Sequence, residues 1–264
     1  MARTIAIANQ KGGVGKTTTA INLAACLTLA RRKVLLIDSD PQGNATTGLG
    51  IDYRRESMGS YELLLGQEDP IKLLKPTSLQ DLSVIPATEA LLGAEVELAH
   101  TPNRATRLKE RLSSNTLELD YVIIDCPPSL GFLTINALVA SQLVIVPIQC
   151  EYYALEGLSQ LLTTLETIRA TLNPGLKLLG LLLTMFDPRN TLSNQVVSQV
   201  RRAFGEKVFK TVIPRNVRLS EAPSHGKPIV QYDIRSKGAQ GYLALAQELI
   251  DITEKGNGQE GGLR

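Results

Sequence analysis

Two lysines, three glycines and a threonine crowd into seven consecutive positions, Lys11-Gly12-Gly13-Val14-Gly15-Lys16-Thr17. Residue types in that order suit phosphate chemistry. Glycines let successive backbone N–H groups turn toward phosphate oxygens with no Cβ in the way. A helix starting just behind such a loop adds the positive end of its dipole. A lysine can bridge the β- and γ-phosphates of a nucleotide, and a threonine hydroxyl can ligate Mg²⁺. Lys16 and Thr17 hold those two positions, and Thr18 follows within reach of an α-phosphate. The common phosphate-loop pattern G-x-x-x-x-G-K-[ST] is not met strictly, because its first glycine position holds Gln10. A second lysine, Lys11, stands beside it instead.

Acidic residues follow at two further places. The run Ile37-Asp38-Ser39-Asp40-Pro41-Gln42 carries two carboxylates at the end of an apolar stretch. Strand alternation puts Asp38 and Asp40 on one side, with Ser39 opposite. One carboxylate can then approach Mg²⁺ while the other orients an attacking water. Tyr121-Val122-Ile123-Ile124-Asp125 is an apolar run ending in a single acid, suited to holding Mg²⁺ through water. Cys126-Pro127-Pro128-Ser129 comes directly after it. Two later stretches, Gln149-Cys150-Glu151 and Ile213-Pro214-Arg215-Asn216, also follow apolar runs. Pro214 and Asn216 read equally well as ordinary turn residues.

These residues need a scaffold, and the apolar pattern supplies one. Short continuous apolar runs at residues 4–8, 34–37, 82–85, 121–124, 143–146, 178–183 and 208–213 read as buried parallel strands. Helical periodicity lies between them at 18–30, 155–172, 196–204 and 241–252. Residues 43–81 read as loop plus short helices. The pattern predicts an α/β fold: an open, mostly parallel twisted sheet flanked by helices on both faces. Open sheets of this kind bind ligands at the carboxyl ends of their strands, where the loop and the carboxylates fall.

The chain has 264 residues, 43% of them hydrophobic, enough for one sizeable domain over residues 1–253. The Gly-rich polar stretch 254–264 is expected to be a disordered tail. Net charge is only +2, but residues 189–237 hold ten Lys and Arg against three acids, a local +7. Such a segment fits either a solvated face or an acidic partner. Cys26, Cys126 and Cys150 are too scattered for a disulfide framework, zinc or an iron–sulfur centre. They read as core residues. No apolar stretch is long enough to span a bilayer, and no cleavable leader is evident, so the sequence predicts a cytoplasmic protein.

The motif K-G-G-V-G-K-T resembles the deviant Walker A loop of the ParA/MinD class of P-loop ATPases. The resemblance runs through nearly the whole chain. The stretches Glu151-Tyr152-Tyr153-Ala154-Leu155-Glu156-Gly157 and N-V-R-L-S-E-A-P-S-H-G from Asn216 are similar to the chromosomal ParA branch, the Soj type. It implies ATP and Mg²⁺ as ligands, Lys11 reaching the nucleotide of a partner subunit, and Gly12 at the close contact of an ATP-bound homodimer. It makes Asp40 the residue that positions water, Asp125 a Mg²⁺ ligand, Glu151 a neighbour of the nucleotide, and Pro214 and Asn216 the adenine-contacting turn. It further implies non-specific binding of double-stranded DNA through Arg189 and Arg218. Arg201, Arg202, Lys207 and Lys210 could widen that patch. A ParB-type partner would stimulate slow hydrolysis, and the protein would associate with the nucleoid. The polar tail lacks the apolar face of a membrane-binding helix, which speaks against the MinD branch. Positioning of another cargo, a metabolic ligase on the same fold, and a non-hydrolysing DNA binder remain as alternatives.

Overall fold

The computed structural model describes residues 2–113, 118–151 and 158–255. The apolar runs form strands β1 (Arg3–Ile7), β2 (Val34–Asp38), β3 (Lys75–Pro76), β4 (Leu82–Ile85), β5 (Tyr121–Asp125), β6 (Leu143–Gln149), β7 (Lys177–Phe186) and β8 (Val208–Pro214). The helices are α1 (Lys16–Leu29), α2 (Asn44–Gly48), α3 (Ser60–Leu64), α4 (Leu91–Ala99), α5 (Arg107–Ser113), α6 (Phe132–Ala140), α7 (Leu158–Thr171), α8 (Thr191–Phe204), α9 (Val217–Glu221), α10 (Ile229–Tyr232) and α11 (Lys237–Ile250).

The strands make one sheet in the order β3-β4-β2-β5-β1-β6-β7-β8. Every neighbouring pair is parallel except β3 with β4. Alternation sends side chains to two separate cores. Ala6, Leu35 and Ile124 face one layer, which also holds Leu138, Leu161 and Val200. Ile5, Ile7, Leu36 and Ile123 face the other, packed by Leu23 of α1 and Leu245 of α11. Strands covered on both faces explain why they read as continuous apolar runs rather than alternating ones. All three cysteines are free and buried, as expected of core residues.

Three helices begin earlier than their apolar period suggests, α1 at Lys16 rather than at 18, and in the other two a side-chain cap sets the start. The Asn190 side chain accepts from Leu192 N (2.9 Å) and opens α8 at Thr191 rather than at 196. Ser236 accepts from Ala239 N (3.1 Å) and opens α11 at Lys237 rather than at 241. The sequence reading starts the tail at Glu254. The structure instead carries a one-turn π-helix through Asp251–Lys255. There Glu254 pairs with Arg32 (2.6 Å) and Thr253 meets the buried Tyr121 hydroxyl (2.8 Å). The rest of the expected tail, 256–264, lies outside the described residues. Among the described residues no helix is long and apolar enough to cross a membrane.

Candidate active site

β1 lies between β5 and β6: after β1 the chain moves to one side to form β2, and after β5 it crosses to the other side of β1 to form β6. That switch point is where an open parallel sheet leaves a crevice. The glycine-rich loop spans it. Gly13 (φ 73°) and Gly15 (φ 90°) take the left-handed conformation, which lets the loop wrap into the start of α1. A Cβ at Gly12 or Gly13 would meet no heavy atom within 4 Å, so the outer face of the loop is open. Its inner face is pinned. Asn9 Nδ2 donates to the Pro147 carbonyl (2.7 Å), and Asn9 Oδ1 accepts from Lys11 N (3.0 Å). At the end of β7, the Thr184 hydroxyl donates to the Val14 carbonyl (2.8 Å). Lys16 Nζ reaches back to the Lys11 carbonyl (3.1 Å).

A cavity of about 490 Å³ opens over this loop, lined by Gly12, Gly13, Lys16, Thr17, Thr18 and Asp40 among others. Burial lowers the pKa of Lys16, and the charges of Asp125 and Asp40 pull it back up.

Parallel pairing sets Asp38 of β2 in register with Asp125 of β5, and both are fully buried. Their surroundings differ. Asp38 Oδ2 accepts from Thr46 N (2.8 Å) and Thr46 Oγ1 (2.7 Å), and Oδ1 accepts from Asp40 N (3.2 Å). Burial drives its pKa up to about 6, with the Thr46 hydrogen bonds acting against the rise. Neither oxygen of Asp125 completes a hydrogen bond. Burial first, and the neighbouring Asp38 charge second, hold its carboxyl well above the ordinary range; the Thr17 hydroxyl and the Lys16 ammonium ease it down.

Unpartnered buried carboxylate oxygens call for a compensating cation. The donors here fit Mg²⁺, which is commonly held through one or two carboxylates, water and substrate phosphates. Asp125 and Thr17 are the groups able to hold it. No cluster of three or more His, Cys, Asp or Glu among the described residues is arranged to cage a metal unaided. The Asp38 carboxylate, expected to face the metal, has its Oδ2 taken by the two Thr46 hydrogen bonds, while Oδ1 accepts only from Asp40 N. Asp40 is placed differently from the alternation argument. β2 ends at Asp38, and a turn closed by Gly43 N on the Asp40 carbonyl (2.9 Å) sets Asp40 at the cavity wall.

A second cavity, about 430 Å³, continues from the first and shares Gly15, Thr18, Met185 and Pro223 with it. Pro214 and Asn216 line its far side. Asn216 also caps α9, accepting from Arg218 N (2.9 Å). Glu151 lines neither cavity; it pairs with Arg215 (3.2 Å), which lines the second. Residues 152–157, part of the matched motif, lie outside the described residues. Sequence reasoning missed Thr46, Thr184 and Met185, whose roles arise from tertiary contacts without a local motif.

The basic residues fall into two groups. Arg189 follows β7 and Arg218 follows β8, so both lie at the carboxyl edge of the sheet with the cavities. Arg189 is held by Asp187 (3.0 Å), and Arg218 by Glu221 (2.8 Å) and Asp233 (3.7 Å). Arg201 and Arg202 occupy the last turn of α8, Lys207 precedes β8, and Lys210 lies early in it. Seven strand residues separate these ends by about 20 Å. Arg201, Arg202 and Lys207 thus lie toward the amino edge of the sheet, and Lys210 is the third residue of β8.

A parallel sheet with a glycine-rich loop at its switch point, a buried lysine and an open carboxylate defines the class as a P-loop nucleotide-binding protein. Residues 2–178 match the model of an AAA domain family. The Soj protein of Bacillus subtilis, a sporulation initiation inhibitor, is 57% identical over 249 residues, covering 94% of this chain and 98% of that protein. The chromosome partitioning protein ParA of Myxococcus xanthus is 58% identical over 248 residues, covering 94% and 88%. A crystal structure of cobyrinic acid a,c-diamide synthase from Mycobacterium smegmatis, with ADP and magnesium bound, superposes with a TM-score of 0.86 at 40% identity, covering 97% of each chain. The chain belongs to the ParA/Soj family of P-loop ATPases.

Proposed function

We propose that this chain is a chromosome-partitioning ATPase that binds Mg-ATP in the two joined cavities. Lys16 binds the β- and γ-phosphates, Thr17 and Asp125 hold Mg²⁺, and Asp40 orients the attacking water. Bound Mg²⁺ supplies neutralising charge to the phosphate oxygens. The observation that carries the reading is Asp125: a buried carboxylate with both oxygens unpartnered, beside the loop lysine and the Thr17 hydroxyl. ATP-bound subunits dimerise face to face, with Lys11 and Gly12 at the contact. The exposed, unobstructed Gly12 and Gly13 support that contact. The dimer binds double-stranded DNA non-specifically through Arg189 and Arg218, and a ParB-type protein stimulates an otherwise slow hydrolysis. Identities of 57% and 58% to Soj and ParA, against 40% to the diamide synthase, favour partition over a metabolic ligase.

The decisive measurement is the ATPase rate with DNA, with and without the ParB-type protein encoded nearest to this gene. The rate is expected to be low with DNA alone and to rise when the partner is added. An unchanged rate would defeat the partition reading, and no hydrolysis under any condition would defeat the ATPase reading.

A further inference from the structure

Four non-glycine residues among those described have positive φ: Arg31, Asp81, Asn103 and Met185. Of these, Met185 (φ 52°) alone lines the two joined cavities. We propose that Met185 is a positioning residue for the base and ribose of the bound nucleotide. The proposal rests on the nucleotide reading above.

The strain has a visible cause. On one side, Thr184 is fixed twice: its hydroxyl donates to Val14 O (2.8 Å), and its carbonyl accepts from Cys150 N (3.0 Å). On the other, the Phe186 carbonyl accepts from Arg215 N (2.9 Å). Between these anchors the pairing of β7 with β8 slips, from Leu183 opposite Val212 to Phe186 opposite Pro214. Three residues advance against two, so β7 bulges. Bulges re-aim a side chain, and the left-handed residue in one is ordinarily glycine. A methionine held there by its neighbours marks strain of the kind that collects at functional sites.

Its location gives the strain a use. The phosphate loop fixes one end of the ligand, and Pro214 and Asn216 stand at the other end of the joined space. Met185 borders both cavities, so a group linking phosphates to the Pro214 end passes over it. A thioether side chain is apolar, polarisable and adaptable, and makes favourable contacts with aromatic rings. It makes a platform for a ribose and a purine without adding a charge near the phosphates.

The test uses the full chain with two variants and two probes, Mg-ATP and magnesium tripolyphosphate, by calorimetry. Met185→Gly should weaken ATP binding about tenfold, the size of a lost apolar contact beneath the base and ribose, which a leucine would keep. Its tripolyphosphate affinity should stay unchanged, because the loop keeps its anchors, and its Tm should not fall. Met185→Leu should keep ATP affinity close to the parent value. Equal losses for both probes would mean that the loop itself was disturbed and would overturn the proposal. So would ATP binding by Met185→Gly at parent strength. Failure of the unaltered chain to bind ATP would overturn the nucleotide reading as well, which separates the two failures.

Discussion

Thr46 gives Asp38 two hydrogen bonds, one from its backbone N (2.8 Å) and one from its hydroxyl (2.7 Å), and the same hydroxyl accepts from Ala87 N (2.9 Å). One fully buried threonine thus ties the end of β2 to α2 and to the segment after β4. Thr46→Val keeps the shape but removes a donor to a buried carboxylate and strands the Ala87 N–H. The expected cost is about 2–4 kcal/mol of stability. Chemical denaturation should show a lower midpoint with an unchanged slope, and Thr46→Ser should recover most of the loss. A Thr46→Val midpoint equal to the parent's would mean that this hydroxyl contributes nothing.

Asp40 occupies the cavity wall without holding the fold together in the way Asp38 does. Its carboxylate accepts from Gln42 N (3.0 Å), a bond within its own turn. Asp40→Ala should therefore leave ATP binding intact and slow hydrolysis about 100-fold or more. Sedimentation with Mg-ATP should then find a long-lived dimer. A variant that stays monomeric with ATP bound would refute the water-positioning role.

Much of this was readable in the chain, for definite reasons. Buried parallel strands need unbroken apolar runs, so seven of the eight strands stand out. β3, two residues paired antiparallel at the sheet edge, has no run to display. The short helices α4, α5 and α6 have no long period, and α4 and α6 have no side-chain cap, so the sequence reading passes over them. The phosphate loop is legible because its chemistry needs contiguous residues. Thr46 and Met185 are not, since one works through a partner eight residues away and the other through a slipped register between two strands. The division of the basic segment into two ends is likewise invisible until β8 is laid out as a strand.

The segment after α11 makes the next prediction. Tyr121 is buried at the start of β5, and its hydroxyl meets Thr253 Oγ1 (2.8 Å) and Glu254 Oε1 (2.9 Å). Arg3 Nη2 donates to the Thr253 carbonyl (2.7 Å). A chain stopped after Ile250 loses all of these partners and should be less stable by about 1–3 kcal/mol. For a domain of this size that is a drop of several degrees in Tm. A chain stopped after Lys255 keeps every one of these contacts and should melt with the parent. Equal Tm values for the two truncations would show that the π-helical turn is not structural.

The two-ended distribution of basic residues allows the proposed DNA contact to be tested against mere surface charge. Arg218 lies at the carboxyl edge with the cavities, in a half-exposed pair with Glu221. Exposed pairs of this kind exchange partners readily, so a DNA phosphate can displace the carboxylate. Arg201 lies at the far edge, donating to the Lys210 carbonyl (3.1 Å). Arg218→Ala should reduce the affinity of the ATP-bound dimer for DNA of any sequence. With one arginine lost from each of two subunits, the slope of log affinity against log salt should become shallower by about 2. Arg201→Ala should leave both quantities close to the parent's, and ATP-dependent dimerisation should survive in both variants. The comparison is made by fluorescence anisotropy across a salt series with saturating Mg-ATP. Equal losses from the two substitutions would mean that DNA senses net charge alone. An Arg218 variant with parent affinity would remove the carboxyl-edge surface from the DNA contact altogether.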